Sequence, residues 1–209
     1  MRWKLYGVPG WGSTLAECAL AWVGIDFDFI NVDGFDKPGP SREKLLAVNP
    51  LARVPTLVLP DGMVMTESAA IILHLADSHP AAGLAPQPDD QDRAAFLNRL
   101  LWFVSVVYPT FTYRDYPERW APDAPDQLRK NVDLFRRSLW QQFETEIGSD
   151  PWILGDTPSA LDLYVTVMTN WFPGRAWIED HCPRLHAIAL RAEALPALAP
   201  VMARNYPTS

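Results

Sequence analysis

A proline directly before a short apolar run is the feature that most constrains the fold of this chain. Val54-Pro55 precedes Thr56-Leu57-Val58-Leu59. Proline has no N–H and is poorly tolerated inside a central strand, so it belongs at the entry of that strand. An X-Pro bond at such a bend is one of the few places where a cis peptide occurs at low cost. We therefore expect a cis Val54–Pro55 bond that turns the Val54 N–H and C=O outward, where an extended peptide can pair with them as an added strand.

A polar helix start follows this strand. Pro60-Asp61-Gly62-Met63 predicts a turn and Val64-Met65 a short return strand. Thr66-Glu67-Ser68 then opens a helix that continues to Ser78. The N–H groups and the Ser68 hydroxyl at this start favour a carboxylate, whereas the Glu67 carboxylate can hold an ammonium group. A small peptide with an amino-acid head fits both halves of such a site.

The Val-Pro element and the Glu-Ser element, in this order and spacing, resemble the glutathione-binding half of the cytosolic glutathione transferase family, in its bacterial type. The resemblance covers nearly the whole chain. It implies an α/β thioredoxin-like domain over residues 1–80, a linker over 81–90 and an all-α helical bundle domain over 91–209. It also implies glutathione as a cosubstrate and no metal.

The order of predicted elements agrees with this division. In the first half we expect strands at 3–6, 27–32, 56–59 and 64–65, and helices at 13–23, 42–48 and 69–78. This order gives a small mixed sheet flanked by helices. After the linker the pattern is helical only, with helices expected at 91–113, 125–147, from 159 onward, 183–192 and 195–204. Pro109 predicts a kink or an end in the first of these, and Ser159 and Asp162 have the spacing of a capping box.

Charge and composition exclude several kinds of partner. The chain has 209 residues and a net charge of −7, and it has no basic stretch of five or more, so we expect neither nucleic acid nor anionic membrane as a partner. No apolar run approaches the length of a membrane span, and the N-terminus shows no signal-peptide core. Cys18 and Cys182 are far apart and indicate a reducing compartment, which we expect to be the cytoplasm.

The chemistry of the implied reaction requires a thiolate. The sulfur of glutathione attacks electrophiles only when ionised, and an unperturbed thiol has a pKa near ~8.5. A hydroxyl hydrogen bond together with a helix N-terminus can lower that pKa by about one or two units. In related proteins the loop after the first strand carries the residue that touches the sulfur. Ser13, the first hydroxyl after Gly12 and the start of a helix, is therefore the predicted catalytic residue.

Four neighbours of Ser13 leave alternatives open. Tyr6 stands at the end of the first strand, where Tyr-type members of the family carry their hydroxyl. Thr14 replaces Ser13 if the loop register differs by one residue. Trp11 either walls the sulfur site or packs over the domain interface. Cys18 lies over one turn later, in the helix body, and is expected to be buried and inert.

The resemblance also implies contacts for the rest of the tripeptide. Val54, with Pro55, pairs through its backbone with the cysteinyl unit, and Glu67 with Ser68 holds the γ-glutamyl end. Arg53 stands near the expected glycine carboxylate, although a solvated surface charge is the other interpretation. Ala52 replaces a glycine that is common in the family.

The electrophile site is expected between the two domains, where aromatic side chains follow the linker. The predicted substrate-binding residues are Trp102, Val106, Tyr108 and Tyr113. A second aromatic segment, residues 171–177, is expected to be a loop that can close this pocket. No His or Cys pattern of a metal site is present in the sequence.

Three functions follow from these features. The first is a glutathione transferase that conjugates small apolar electrophiles in detoxification. The second is a glutathione-dependent isomerase, lyase or reductase, and the third is a non-enzymatic binding protein of the same fold. Ser13 in place of cysteine favours conjugation or isomerisation over reduction, since disulfide exchange is better served by cysteine. The family resemblance also implies a symmetric homodimer.

Overall fold

The computed structural model describes residues 2–148 and 150–207. The chain divides into two compact units. The first comprises the chain up to Gln87 together with the chain from Glu193 onward, and the second is Pro88–Ala192. This differs from the expected boundaries, which placed residues 91–209 in one helical domain. The C-terminal segment belongs to the first unit because its last helix packs against the first helix of the chain. The expected ends at residues 1 and 209 lie outside the described residues.

The first unit contains a four-stranded sheet. Its strands are β1 (Trp3–Gly7), β2 (Phe27–Asn31), β3 (Thr56–Val58) and β4 (Val64–Met65), in the order β2-β1-β3-β4. β1 pairs in parallel with β2 and antiparallel with β3, which pairs antiparallel with β4. Leu5 lies opposite Phe29 on one side and Leu57 on the other. The predicted mixed sheet with flanking helices is therefore confirmed.

Ten α-helices are present in the described part of the chain. They are α1 (Ser13–Trp22), α2 (Pro40–Leu46), α3 (Ser68–Ser78), α4 (Arg93–Trp102), α5 (Tyr108–Asp115), α6 (Pro125–Glu146), α7 (Ala160–Met168), α8 (Arg175–His181), α9 (Pro183–Glu193) and α10 (Ala199–Asn205). Short 3-10 turns lie at Pro80–Ala82 and Pro117–Arg119. The predicted all-helical character of the second unit is confirmed.

α1 is the central helix of the first unit. It contacts β1, α3 and α10, and every residue from Ser13 to Leu20 is buried. A helix that is buried on all sides is apolar all round, which explains the run Leu15-Ala16, Cys18-Ala19-Leu20 in its sequence. α1 therefore holds its own N-terminus, and the loop that precedes it, in a fixed place.

The bend before β3 has two backbone features. The Val54–Pro55 peptide bond is cis, as predicted. Ala52 is the one described non-glycine residue with a positive φ, 47°. This is the left-handed region that glycine adopts without a steric penalty, so the alanine occupies a backbone conformation suited to the glycine common in the family. Its methyl group is buried with Val8, Val32, Phe35 and Leu45.

Pro109 does not end a helix. α4 and α5 join through a widened π turn at Phe103–Val107, just before the proline. A proline inside an α-helix clashes with the carbonyl four residues earlier, and a wider turn gives that carbonyl room. By length and composition the helical stretch Arg93–Asp115 is long and apolar enough to cross a membrane, so the prediction that no apolar run has this length was wrong. Core helices of globular proteins meet the same criterion.

An aromatic cluster forms the centre of the second unit. The Phe103 ring stacks on Tyr164 at 5.5 Å and meets Phe143 edge-on at 5.2 Å. Trp140 lies 6.2 Å from Phe103 between ring centroids. The second aromatic segment, expected to be a loop, changes into a helix at Arg175, and its Phe172–Pro173 bond is also cis.

Candidate glutathione-binding site

The loop between β1 and α1 is anchored from within by Ser13. The Ser13 hydroxyl accepts a hydrogen bond from the Val8 N–H at 2.9 Å and donates one to the Val8 carbonyl at 3.0 Å. The side chain is 0% exposed. A Cβ at Gly7 would lie 2.5 Å from both Cβ and Oγ of Ser13, so only glycine fits at that position. Gly7 therefore leaves room for the Ser13 side chain, and the Val8 backbone forms hydrogen bonds with it.

This geometry disfavours the side-chain role predicted for Ser13. A hydroxyl has one proton to donate, and that proton is given to the Val8 carbonyl. Contact between the hydroxyl proton and a thiolate would require breaking this bond. The reason is that the hydroxyl of Ser13, the first residue of the helix, hydrogen-bonds to the preceding loop at Val8. It is not directed away from that loop toward a ligand.

The side chains of the two alternative residues, Thr14 and Tyr6, also contribute to the fold. Thr14 is 0% exposed, and its hydroxyl donates to Asn205 Oδ1 at 2.9 Å. Tyr6 lies on β1 and packs against the buried cluster around Phe35 and Leu45. Both side chains therefore have structural roles in the described residues.

The hydroxyls of Ser13 and Thr14 already donate hydrogen bonds, but two backbone N–H groups at the start of α1 do not donate to any of the described residues. The Trp11 N–H donates to Val8, the Thr14 N–H to Trp11 and the Leu15 N–H to Gly12. Within the part of the chain that the structure describes, the N–H groups of Gly12 and Ser13 donate to no acceptor, and both residues are buried. They are adjacent amides at the positive end of a helix dipole, and the first turn contains no acidic residue. This is a place that favours a negative charge.

Trp11 stands beside these amides with its side chain 39% exposed. Its ring meets Phe35 edge-on, with 5.7 Å between centroids. An aromatic face that is partly open to solvent next to a helix start can wall a ligand without supplying a charge. The Phe35 contact lies within the first unit, and neither of the two interpretations left open for Trp11 is tested by it.

The strand entry presents an unpaired backbone. Neither the N–H nor the C=O of Val54 has a hydrogen-bond partner among the described residues. The Arg53 carbonyl is held by the Thr56 hydroxyl at 2.8 Å and by Asn49 Nδ2 at 3.2 Å, while the Arg53 side chain is exposed. Asn49 is 2% exposed and also donates to Thr56, so it fixes this bend as well as ending the preceding helix region.

The start of α3 has the predicted mixed character. Glu67 is the N-cap residue, with extended backbone (φ −86°, ψ 127°), and it is exposed. Ser68 is the first residue of the helix and is 7% exposed. The structure thus places a carboxylate in solvent and a hydroxyl at the helix start, in the first unit with Val54 and the α1 loop.

The predicted substrate-binding residues lie on one helical stretch of the second unit. Trp102 stacks on Phe143 at 5.1 Å, Tyr108 meets Trp171 edge-on at 5.8 Å, and Tyr113 meets Trp120 edge-on at 5.0 Å. Val106 is half-buried in the π turn. Tyr108 is thus brought together with the second aromatic segment.

A buried arginine holds that second segment in place. Arg136 is 0% exposed, lies 3.9 Å above the Phe111 ring, and donates to the Thr110 hydroxyl at 2.8 Å and to the Phe172 carbonyl at 3.2 Å. Burial lowers the pKa of its guanidinium to about 10. Sequence reasoning missed this residue because an arginine among the charges of α6 carries no sign of burial.

The cysteines offer no thiolate of their own. Both are free and buried. Burial, with a smaller contribution from Glu17, raises the pKa of Cys18 well above its ordinary range. Burial likewise raises the pKa of Cys182 to about 12. Among the described residues no group of three or more His, Cys, Asp or Glu side chains is placed to hold a metal ion.

Fold and site together define a class: a thioredoxin-like domain with a cis-proline before its third strand, followed by a helical bundle. A family model described as "Glutathione S-transferase, N-terminal domain" matches residues 16–78. The chain is 46% identical, over 97% of its length and 98% of the relative's, to the "Uncharacterized GST-like protein YncG" of Escherichia coli K12. It is 28% identical to glutathione S-transferase GstA of Escherichia coli O157:H7, over 96% of this chain and 91% of that one.

Solved structures give the same result. A glutathione transferase homologue from Sulfitobacter, with bound glutathione, superposes with a TM-score of 0.85 at 25% identity and covers 96% of both chains. A sphingomonad glutathione S-transferase complexed with glutathione gives 0.80 at 28%, over 98% of this chain and 100% of that one. The chain belongs to the glutathione S-transferase family.

Proposed function

We propose that this protein is a glutathione transferase that binds glutathione in its first unit and ionises the thiol at the N-terminus of α1. The observation that carries the proposal is the pair of adjacent N–H groups on Gly12 and Ser13, which have no acceptor in the described part of the chain. The relatives with bound glutathione support the choice of ligand.

Glutathione lies along the strand entry in this proposal. The cysteinyl unit pairs with the free N–H and C=O of Val54 beside Pro55, as an added strand does. The Glu67 carboxylate holds the γ-glutamyl ammonium group, and the Ser68 hydroxyl at the start of α3 holds the adjacent carboxylate. Arg53 lies near the glycine carboxylate, and Trp11 covers the thiol.

Backbone hydrogen-bond donors can supply the free energy that is needed to ionise the thiol. Each unit of pKa depression requires about 1.4 kcal/mol of preference for the thiolate. A hydrogen bond to a charged group contributes about 1.5–3 kcal/mol, and a helix N-terminus typically adds about 0.3–1 kcal/mol. One or two backbone donors at α1 therefore suffice to lower the thiol pKa by one to two units. The thiolate then attacks an electrophilic carbon, and the leaving group departs with the bonding electron pair.

The electrophile is a small apolar molecule in this proposal, and the side chains of Trp102, Val106, Tyr108 and Tyr113 contribute to its site. The identity of the electrophile is open. Detoxification, a cytoplasmic location and a homodimeric assembly complete the proposal, since they accompany the family resemblance.

An isomerase is the second candidate, and a specific comparison favours it. The chain is 27% identical over 191 residues to maleylacetoacetate isomerase of Pseudomonas aeruginosa. An isomerase and a transferase of this family need the same thiolate, because each begins with attack by glutathione sulfur. A reductase is less well supported, since the loop contains no cysteine and both cysteines of the chain are buried.

Titration of the bound thiol tests the proposal. Calorimetry first establishes glutathione binding, and the ultraviolet absorbance of the thiolate against pH then gives the pKa of bound glutathione. We expect a value about one to two units below the ordinary ~8.5. Binding with an unshifted thiol supports the non-enzymatic alternative, and no binding contradicts the proposal. Parallel assays with an activated aryl halide and with maleylacetoacetate separate transferase from isomerase.

A further inference from the structure

A side chain from the C-terminal helix reaches the loop that shapes the thiol site. Asn205, the last residue of α10, accepts hydrogen bonds at its Oδ1 from the Gly10 N–H at 2.8 Å and from the Thr14 hydroxyl at 2.9 Å. We propose that Asn205 is a positioning residue for thiol activation: it fixes the backbone before Gly12 so that the amides of α1 face the sulfur. This inference rests on the proposed function of the site.

The orientation of the Asn205 amide is dictated by its surroundings. Its Nδ2 donates to a Glu17 carboxylate oxygen at 2.7 Å and to the Val201 carbonyl at 2.9 Å. Both of these groups only accept, and the Gly10 N–H only donates, so a flipped amide would lose these hydrogen bonds. Asn205 is 7% exposed, which makes each of the four hydrogen bonds costly to lose.

Gly10 is held on both of its backbone groups. The Tyr206 hydroxyl donates to the Gly10 carbonyl at 3.2 Å, while Asn205 accepts from the N–H. Gly10 has a φ of 76°, and a Cβ there would lie 3.3 Å from the Asn205 carbonyl oxygen. The Gly10 backbone is therefore held in its left-handed conformation by Asn205 and Tyr206. We call these two contacts the Gly10 clamp.

An ion pair next to the Gly10 clamp joins α1 to α10. Glu17 on α1 is 2% exposed and forms an ion pair with Arg204 on α10, whose side chain is about half exposed. The pair joins the two helices next to Asn205, and among the described residues neither of its side chains forms a hydrogen bond with the Gly10 loop. It thus provides a comparison, because it stabilises the same helix contact without a hydrogen bond to the loop.

The clamp matters because hydrogen bonds depend steeply on direction. A donor weakens when its N–H···acceptor angle falls well below 150°. Ser13 fixes the loop at Val8, and Asn205 with Tyr206 fixes it at Gly10, so the directions of the Gly12 and Ser13 N–H groups are set from both sides. Loss of the hydrogen bonds at Gly10 would leave the Gly12 and Ser13 N–H groups in place but no longer directed at the sulfur.

The test measures the pKa of glutathione bound to the Asn205→Ala protein from thiolate absorbance. Asn205→Ala should raise that pKa by about one unit, with conjugation about tenfold slower at a pH below it and recovered at high pH. The dissociation constant of S-methylglutathione, which has no ionisable thiol, should stay within about twofold, because it reports the remaining contacts.

Glu17→Gln is the matched control for a purely structural role. It removes the ion pair with Arg204, keeps an acceptor for Asn205 and should lower the melting temperature without raising the thiol pKa. An equal rise in Glu17→Gln and Asn205→Ala overturns the inference, as does no rise in Asn205→Ala. If Asn205→Ala does not fold, Tyr206→Phe decides: a raised pKa supports the clamp, and an unchanged one overturns it. An unshifted thiol in the wild-type protein instead overturns the proposed function, and the inference with it.

Discussion

At the scale of single residues, the candidate site depends on which O–H and N–H groups do not already donate a hydrogen bond within the fold. The side-chain hydroxyls of Ser13 and Thr14, which sequence position made the natural candidates, are both committed to the fold. The backbone N–H groups of Gly12 and Ser13 are not. Sequence position identified the two hydroxyls but not their hydrogen bonds, because the identity of a residue does not show where its side chain donates.

Substitution of Ser13 by alanine should act on stability first. It leaves the buried N–H of Val8 without a partner and removes one of the two donors to the Val8 carbonyl, which together cost about 1–3 kcal/mol. We expect the free energy of unfolding, measured by urea denaturation, to fall by that amount. A stable Ser13→Ala protein in which the pKa of bound glutathione rises would return the side-chain hydroxyl to the catalytic role first predicted for it.

Glu67 should contribute to affinity and not to stability. Its carboxylate is exposed, and we expect Glu67→Ala to weaken glutathione binding by about 1.5–3 kcal/mol, the range for a hydrogen bond with a charged partner. Calorimetry measures this difference. Asp26→Ala, which removes another exposed carboxylate of the same unit, is the control and should bind glutathione as the wild type does. Equal affinity of both variants would place the γ-glutamyl group elsewhere.

At the scale of secondary structure, local signals predicted most elements and failed where tertiary contacts decide. The strands, α1, α3 and α6 follow from periodicity, and Ser159 with Asp162 forms the predicted capping box. The π turn before Pro109 and the short α8 were missed, because a proline or an aromatic run does not reveal how the chain accommodates it. The hydrogen bonds of Asn205 could not be predicted, since its partners on α1 and the Gly10 loop are remote in sequence.

The capping box should make stability depend on pH. Asp162 is fully buried and accepts from the N–H groups of Ile153 and Ser159 at 2.9 and 2.7 Å. Burial raises the pKa of Asp162 to about 6, although these hydrogen bonds act in the opposite direction. The unfolded value is lower, about 3.9, so between these values the native state binds the extra proton. Its contribution to stability is therefore full below about pH 4 and is lost as the pH rises to about 6.

Asp162→Asn should remove this dependence, because an amide does not titrate in that range. Urea denaturation of both proteins at pH 4, 5, 6 and 7 should show the advantage of the wild type largest at low pH. An advantage that is constant, or that grows toward pH 7, would mean that the buried carboxyl is ionised throughout.

At the scale of the whole molecule, the proposed homodimer is the feature that a single chain cannot display. Sedimentation equilibrium at micromolar concentration should give twice the mass of the 209-residue chain. The expectation comes from family membership and from the rule that soluble oligomers are most often twofold symmetric. A monomer at that concentration would require the proposed chemistry to be complete within one chain.

The central claim is that backbone amides, and not a side chain, ionise the thiol, and Gly12→Pro measured against Gly12→Ala tests it most directly. Gly12 has a φ of −58°, which proline adopts without strain, and its N–H has no acceptor in the described part of the chain. Both variants add side-chain atoms, but only proline deletes the N–H. We predict that the pKa of bound glutathione, read from thiolate absorbance, is about one unit higher in Gly12→Pro than in Gly12→Ala. Equal pKa values in two folded proteins would contradict the account.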